Sequence, residues 1–145
     1  MFYYTLSMKY YVDLTVRPYE CDSYSHVNNA VYLNYLEFAR MEYLHQIGFD
    51  YKGAVAAGYY LYVTHVDIHY KASAFLDDKL KIEVFATKLG AVSGTIHQVV
   101  RKEDGTVCAV ADVTWCSVKS ENGQPARLPE EFLVPGLKPD AGDLN

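Results

Sequence analysis

The sequence predicts an α+β domain in which a curved antiparallel sheet of about five strands wraps around one long central helix. Three observations carry this. One segment, residues 29–47, reads as a helix that is apolar on most sides. Five stretches rich in Val, Ile, Thr and Tyr surround it, one before and four after. Only short turns such as Asp77-Asp78, Gly90 and Asp104-Gly105 separate the last four stretches, so consecutive strands are antiparallel neighbours.

Taken in order, residues 8–18 alternate in Tyr, Val and Thr and stop at Pro18, which gives a first strand. Residues 19–28 are polar and carry cap-type side chains. The helix over 29–47 follows, with Gly48 as the residue just past its end. From Ala30 to Ile47, twelve of eighteen residues are apolar, so the helix has to be wrapped rather than laid on a surface. A loop is expected at 48–58, then strands at 59–71, 79–89, 92–103 and 106–119, with Asp104-Gly105 as a hairpin turn. The end holds four of the five prolines and one short helical turn at 129–133. A single domain over residues 1–135 with a frayed tail at 136–145 is the expectation.

At 145 residues, 50% hydrophobic and 21% charged, the chain is a globular domain and neither disordered nor fibrous. Its net charge of −5, with no basic run, makes it a poor partner for nucleic acid. No apolar run approaches the ~20 residues of a membrane helix. Cys21, Cys108 and Cys116 are odd in number and form no C-x-x-C. Cys108 and Cys116 on one strand are too far apart to bridge. Reduced thiols and a start (Met1–Tyr4) without a positive n-region give a cytoplasmic expectation.

Standard signatures of nucleotide binding and of serine hydrolases are missing. What stands out is Asp22, Tyr24, His26, Asn28 and Asn29 within eight residues just before the helix. Unpaired N–H groups at a helix start polarise a carbonyl or hold an oxyanion, and a carboxylate just upstream can activate water or attack. The competing reading is local: Asn28 or Asn29 caps the helix and Asp22 forms an Asx-turn. A second cluster, His65, Asp67 and His69, has the spacing of an iron-type H-x-D pair, against the commoner reading of a polar strand face. Cys21 has only His26 nearby to activate it as a nucleophile. Glu37 and Arg40 are spaced for an ion pair along the helix. Lys71, Lys79, Lys81, Lys88, Arg101 and Lys102 are available for phosphates or an acidic carrier, or are ordinary solvated surface.

The run from Val16 to Tyr32, followed by Tyr35-Leu36-Glu37-Phe38-Ala39-Arg40 and Ile47-Gly48, resembles the hot-dog-fold thioesterases. It is most similar to the 4-hydroxybenzoyl-CoA thioesterase-like branch, which includes small bacterial acyl-CoA thioesterases and plant acyl-carrier-protein and methylketone-synthase thioesterases. Similarity continues through Tyr70-Lys71-Ala72 and Asp77-Asp78 to Arg127–Phe132, nearly the whole chain. The resemblance implies a hot-dog fold, active sites at a dimer interface, no cofactor and no metal. It places Asp22 on the catalytic loop aspartate and Asn29 where a helix-start amide meets the thioester carbonyl. His26 joins them as a residue that orients Asp22 or the water. Tyr24 and Ser73 depart from the plant pattern, which carries Asn and an acid there.

The expected function is therefore hydrolysis of acyl-CoA or acyl-carrier-protein thioesters, with a non-catalytic acyl-thioester binding module as the alternative. Asp22, His26 and Asn29 are the catalytic set; Tyr24, Asn28, Ala30, Tyr32, Tyr35 and Leu36 are the substrate-binding set, the last three along the acyl chain. Long exposed sheet edges call for a homodimer or homotetramer.

Overall fold

The computed structural model describes residues 9–139. Met1–Tyr4, Met8 and the last part of the tail, residues 140–145, lie outside the described residues. The elements in chain order are β1 (Tyr10–Thr15), α1 (Val31–Gln46), α2 (Tyr51–Ala56), β2 (Tyr59–Tyr70), β3 (Lys79–Leu89), β4 (Ser93–Lys102) and β5 (Val107–Lys119). The strands form one antiparallel sheet in the order β1-β3-β4-β5-β2.

Turn chemistry explains the consecutive hairpins. Gly105 takes φ +87°, open to glycine, and Lys102 and Thr106 close the β4–β5 turn by a backbone hydrogen bond of 2.9 Å. Gly90 donates to the Ser93 carbonyl at 2.7 Å and closes β3–β4. Gly94 has no room for a side chain: a Cβ there would lie 2.6 Å from the Trp115 indole on the next strand. On β3 the alternation is of period two: Leu80, Ile82 and Val84 are buried in the core with α1, and Lys79 and Lys81 face the other way, exposed.

Helix α1 is shorter by about a turn than the expected 29–47, and Gly48 follows it at φ +76° as expected. Its buried residues, Tyr32, Tyr35, Leu36, Ala39, Tyr43 and Leu44, recur at three and four positions and make one stripe. The wrap expected from its composition is one-sided within this chain: Leu33 and Phe38 are 43% and 47% exposed on the other face. Five strands cover one flank of a helix and no more.

Three departures from the expected elements have local causes. The first strand runs only from Tyr10 to Thr15, because Pro18–Glu20 turns as a short 3-10 helix before the polar stretch begins. The expected loop at 48–58 contains α2, started by the Asp50 carboxylate accepting from the Gly53 N–H at 2.9 Å. The tail is packed beyond Pro135. Gly136 and Leu137 are buried in a 3-10 turn, and the buried Tyr43 hydroxyl donates to the Gly136 carbonyl. The domain thus extends past the expected boundary.

Because β2 lies at one edge and β3 beside the other, residues 71–78 must cross over the ends of β5 and β4. At ~4.8 Å per strand spacing, the crossing covers about 14 Å. It passes over the start of α1, where Ala74 donates to the Tyr32 hydroxyl at 3.2 Å. This crossover positions the site described next.

Leu137 is 2% exposed. Leu137→Ala is expected to lower unfolding stability by about 3 kcal/mol, measured as a shifted urea midpoint with unchanged slope; a neutral effect would show the tail to be unpacked.

Candidate active site

The polar stretch before α1 folds back as a tight hairpin. Cys21 and Val27 face each other as an antiparallel bridge, Asp22 N–H donates to the His26 carbonyl at 2.9 Å, and Ser25 sits at φ +68° to close the turn. The crossover pins the hairpin from outside: Val27 N–H donates to the Ala74 carbonyl at 2.8 Å, and His26 bridges Phe75. Glu20 pins it from inside. Its side chain is almost fully buried and accepts from the Arg17 guanidinium at 2.5 and 3.0 Å, the Arg17 N–H at 2.8 Å and the Tyr35 hydroxyl at 3.0 Å. Burial pushes the Glu20 carboxyl up, but these donors outweigh it and hold the group below its ordinary value. Burial, with Glu20 beside it, pushes the Tyr35 phenol well up, so Tyr35 stays protonated and donating.

Between hairpin, helix start and crossover lies a cavity of about 420 Å³. Asp22, Tyr24, His26, Asn29, Tyr32 and Tyr70 all line it, with Lys71, Ala72 and Ser73 of the crossover. The Asp22 carboxylate is part-exposed. Oδ1 accepts from the Tyr24 N–H at 2.8 Å, and Oδ2 lies 3.5 Å from His26 Nδ1. The Asx-turn of the local reading is therefore present, and it orients the carboxylate while leaving Oδ2 to face His26. The His26 ring stacks on Tyr24, 78% exposed at the cavity mouth, and meets Phe75 edge-on.

The three amides expected at the helix start divide by role. Asn28 N–H donates to the Glu20 carbonyl at 3.0 Å, and Ala30 N–H to the Asn28 side-chain oxygen at 2.9 Å, so Asn28 caps the chain entering α1. Among the described residues, only Asn29 of the three has an N–H without an acceptor, and Asn29 lines the cavity. Tyr70, at the end of β2, donates its hydroxyl to the Asn29 carbonyl at 2.9 Å and fixes the Asn29–Ala30 peptide, next to the one that carries this N–H. The sequence reading missed Tyr70 and Glu20, since both act through contacts that only the fold brings together.

The expected acyl-chain residues separate. Tyr32 is 3% exposed and forms the cavity base, its ring edge-on to Tyr70. Tyr35 does not reach the cavity; it is spent on Glu20. Leu36 lines a second depression of about 300 Å³ between α1 and β2, with Leu33, Arg40, Val63 and Val66. The expected Glu37–Arg40 ion pair does not form; Arg40 donates instead to the buried Gln98 side chain at 3.0 Å. Asp67 pairs with His69 at 3.0 Å and Asp112 with His97 at 2.8 Å, an exposed polar face of the sheet. Among the described residues no three His, Cys, Asp or Glu side chains converge on one point, so the His65–Asp67 iron reading has no third ligand. Cys21, Cys108 and Cys116 are unbridged; burial pushes the Cys108 thiol up.

A family model described as the thioesterase-like superfamily matches residues 16–135, a span that includes the hairpin, the helix, the crossover and all of β2–β5. The chain belongs to this superfamily. Within the superfamily it is 35% identical over 120 residues to the long-chain acyl-CoA thioesterase FadM of Escherichia coli strain K12, covering 82% of this chain and 90% of that protein. It is 33% identical over 72 residues to a chloroplastic acyl-acyl carrier protein thioesterase of Arabidopsis thaliana, covering 50% of this chain and 38% of that one. A DHNA-CoA thioesterase from Staphylococcus aureus superposes with a TM-score of 0.79 at 22% identity, over 82% of this chain and 80% of that one. The sheet around a helix is thus the hot-dog fold of superfamily members.

Glu20 predicts an acid-sensitive hairpin. A carboxyl held below its ordinary value of 4.5 contributes stability in full above that pH and loses it as pH falls through the lowered value. Glu20→Gln is expected to cost about 2 kcal/mol at pH 7 and progressively less as the pH is lowered below 4.5, read from urea midpoints along an acid series.

Proposed function

We propose that the protein hydrolyses acyl thioesters of coenzyme A or of an acyl carrier protein, with Asp22 acting at the thioester carbonyl. The observation that carries this reading is that one cavity is lined by both a part-exposed carboxylate with one oxygen uncommitted to the backbone and an unpaired amide at a helix start. The carbonyl oxygen lies against the Asn29 N–H, where the helix dipole strengthens the donor, and Tyr70 holds the adjoining Asn29–Ala30 peptide in place. Asp22 then either takes a proton from water as the water attacks, or attacks itself to give a mixed anhydride that water opens. His26 orients the Asp22 carboxylate or the water. The thiolate leaves with the pantetheine arm, and the free acid remains. The relatives named as acyl-CoA and acyl-carrier-protein thioesterases support the substrate class.

A second copy of the chain fits the same reading. β2 is a twelve-residue edge strand whose residues are mostly exposed, among them Tyr62, Val63 and Tyr70. Its far end borders the cavity, so a partner paired along β2 walls the site and covers Leu33 and Val63. We therefore expect a homodimer at least. Reduced thiols and a chain in which no described helix is long and apolar enough to cross a membrane accord with a cytoplasmic enzyme.

Thiol release from a panel of acyl-CoA and acyl-carrier substrates tests the activity. Asp22→Asn is expected to lower turnover at least ~10²-fold with an unchanged circular dichroism spectrum. Saturable binding without thiol release in the unmodified protein would make it a binding module instead. Tyr70→Phe, which frees the Asn29–Ala30 peptide next to the donor, is expected to reduce kcat by about tenfold. Light scattering should give a mass of two chains or a multiple; a monomer would remove the shared-wall picture.

A further inference from the structure

Another cavity, larger than the one containing Asp22, lies elsewhere on the molecule. It is a groove of about 670 Å³ on the far side of the crossover, where the end of β1, the start of β3 and the end of β4 meet. Lys79, Lys81, Arg101 and Lys102 line it, against two carboxylates, Asp13 and Glu103. The chain as a whole carries −5, with 13 Lys and Arg in all, so four cations against two carboxylates in one lining is a local concentration of positive charge.

The acids hold these cations loosely. Lys81 lies 4.0 Å from Asp13 and Lys79 3.9 Å from Glu103, beyond hydrogen-bond range, with all four side chains more than half exposed. Arg101 is 3.8 Å from Glu83. Only Lys102 is drawn in, 3.3 Å from Asp78 and with its ammonium 4.8 Å from the centre of the Phe75 ring.

Lys102 and Phe75 connect the two cavities. The other side of Phe75 meets His26, ring centres 6.2 Å apart, and His26 lines the Asp22 cavity. The ridge between groove and cavity is therefore the crossover itself, topped by Phe75 and Leu76, each 45% exposed. An acyl group delivered on phosphopantetheine always trails an arm that ends in a phosphate ester. That arm is about as long as five extended residues, ~17 Å. Leading from the Asp22 cavity across the apolar ridge, it ends at the cations.

We propose that the groove lined by Lys79, Lys81, Arg101 and Lys102 receives the phosphate end of a phosphopantetheine thioester, with the arm lying over Phe75 and Leu76. This deepens the proposed function and rests on it. The chemistry recognised is a phosphate ester, supplied either by the nucleotide of coenzyme A or by the phosphoserine of an acidic carrier. Charge-assisted bonds to that phosphate hold the substrate equally in ground and transition states, so they lower KM and leave kcat alone.

The test compares three thioesters of one acyl group: acyl-CoA, acyl-carrier protein, and the phosphate-free acyl-N-acetylcysteamine. Lys79→Glu combined with Lys81→Glu is expected to raise KM roughly tenfold or more for at least one phosphate-bearing substrate, with kcat within twofold and the N-acetylcysteamine thioester turned over as before. A change for acyl-CoA alone identifies the nucleotide as the source, for the carrier alone the phosphoserine, and for both the shared ester; each supports the groove. Lys52→Glu combined with Lys88→Glu matches the change in net charge away from the groove and should leave all three KM values unaltered. Unchanged KM for both phosphate-bearing substrates in the groove variant overturns the inference, as does an equal loss on all three or an equal effect of the control pair. Failure of the unmodified protein to cleave any of the three overturns the proposed function itself.

Discussion

The structure depends on one topological constraint: the strand that follows the helix lies at one edge of the sheet, and the next strand lies beside the opposite edge. The eight residues between them have to cross the end of the sheet, and the start of α1 lies beneath their path. A crossing segment has its own backbone donors and acceptors to satisfy, and it finds them in neighbours remote in sequence. Ala74 takes the Val27 amide and gives its own to Tyr32; Lys71 and Ala72 both donate to the Cys108 carbonyl. A hairpin of polar residues with few apolar side chains to bury thereby becomes a fixed part of the molecule.

Two carboxylates two residues apart in that hairpin have opposite fates. Glu20 is closed in and fully engaged by Arg17 and Tyr35, so its acceptor capacity is consumed in holding the loop. Asp22 is tied to the backbone through one oxygen, and the other faces His26 at a loose 3.5 Å. A group whose lone pairs are all committed is a poor base and a worse nucleophile, whatever its charge. The division between an engaged and a partly free carboxylate comes from which side of the hairpin each residue faces, and the Asp22 turn, which looks purely local, is what orients the freer one.

Much of this was readable in the chain before any coordinates. The helix, its Gly48 terminator and four of the strands stand within a residue or two of where apolar periodicity and turn residues put them, because those signals are local. Asp22, His26 and Asn29, which the family resemblance groups together, line one cavity. What escaped has a common cause. Tyr70 is 41 residues from the peptide it holds, and its role exists only once β2 and α1 are side by side. Tyr35 reads as an acyl contact by spacing, but its hydroxyl is claimed by Glu20, fifteen residues upstream. The short α2 was hidden by its glycine, although Asp50 three residues earlier was a legible cap. The buried tail was masked by prolines that suggested fraying and instead direct the chain against Tyr43.

The Asn29–Ala30 peptide, next to the free Asn29 amide, is tethered from Tyr70, the last residue of an edge strand bonded to a neighbour on one side only within this chain. Strand ends of that kind open locally at far smaller free-energy cost than the core they border. The helix-start amide thus adjoins an edge of the sheet, while the hairpin that carries Asp22 is anchored through the buried Glu20 network. Loss of competence on warming or dilution would begin with a misaligned amide in an otherwise native molecule, and the working lifetime of the catalyst would be set by fraying at that margin, well short of melting.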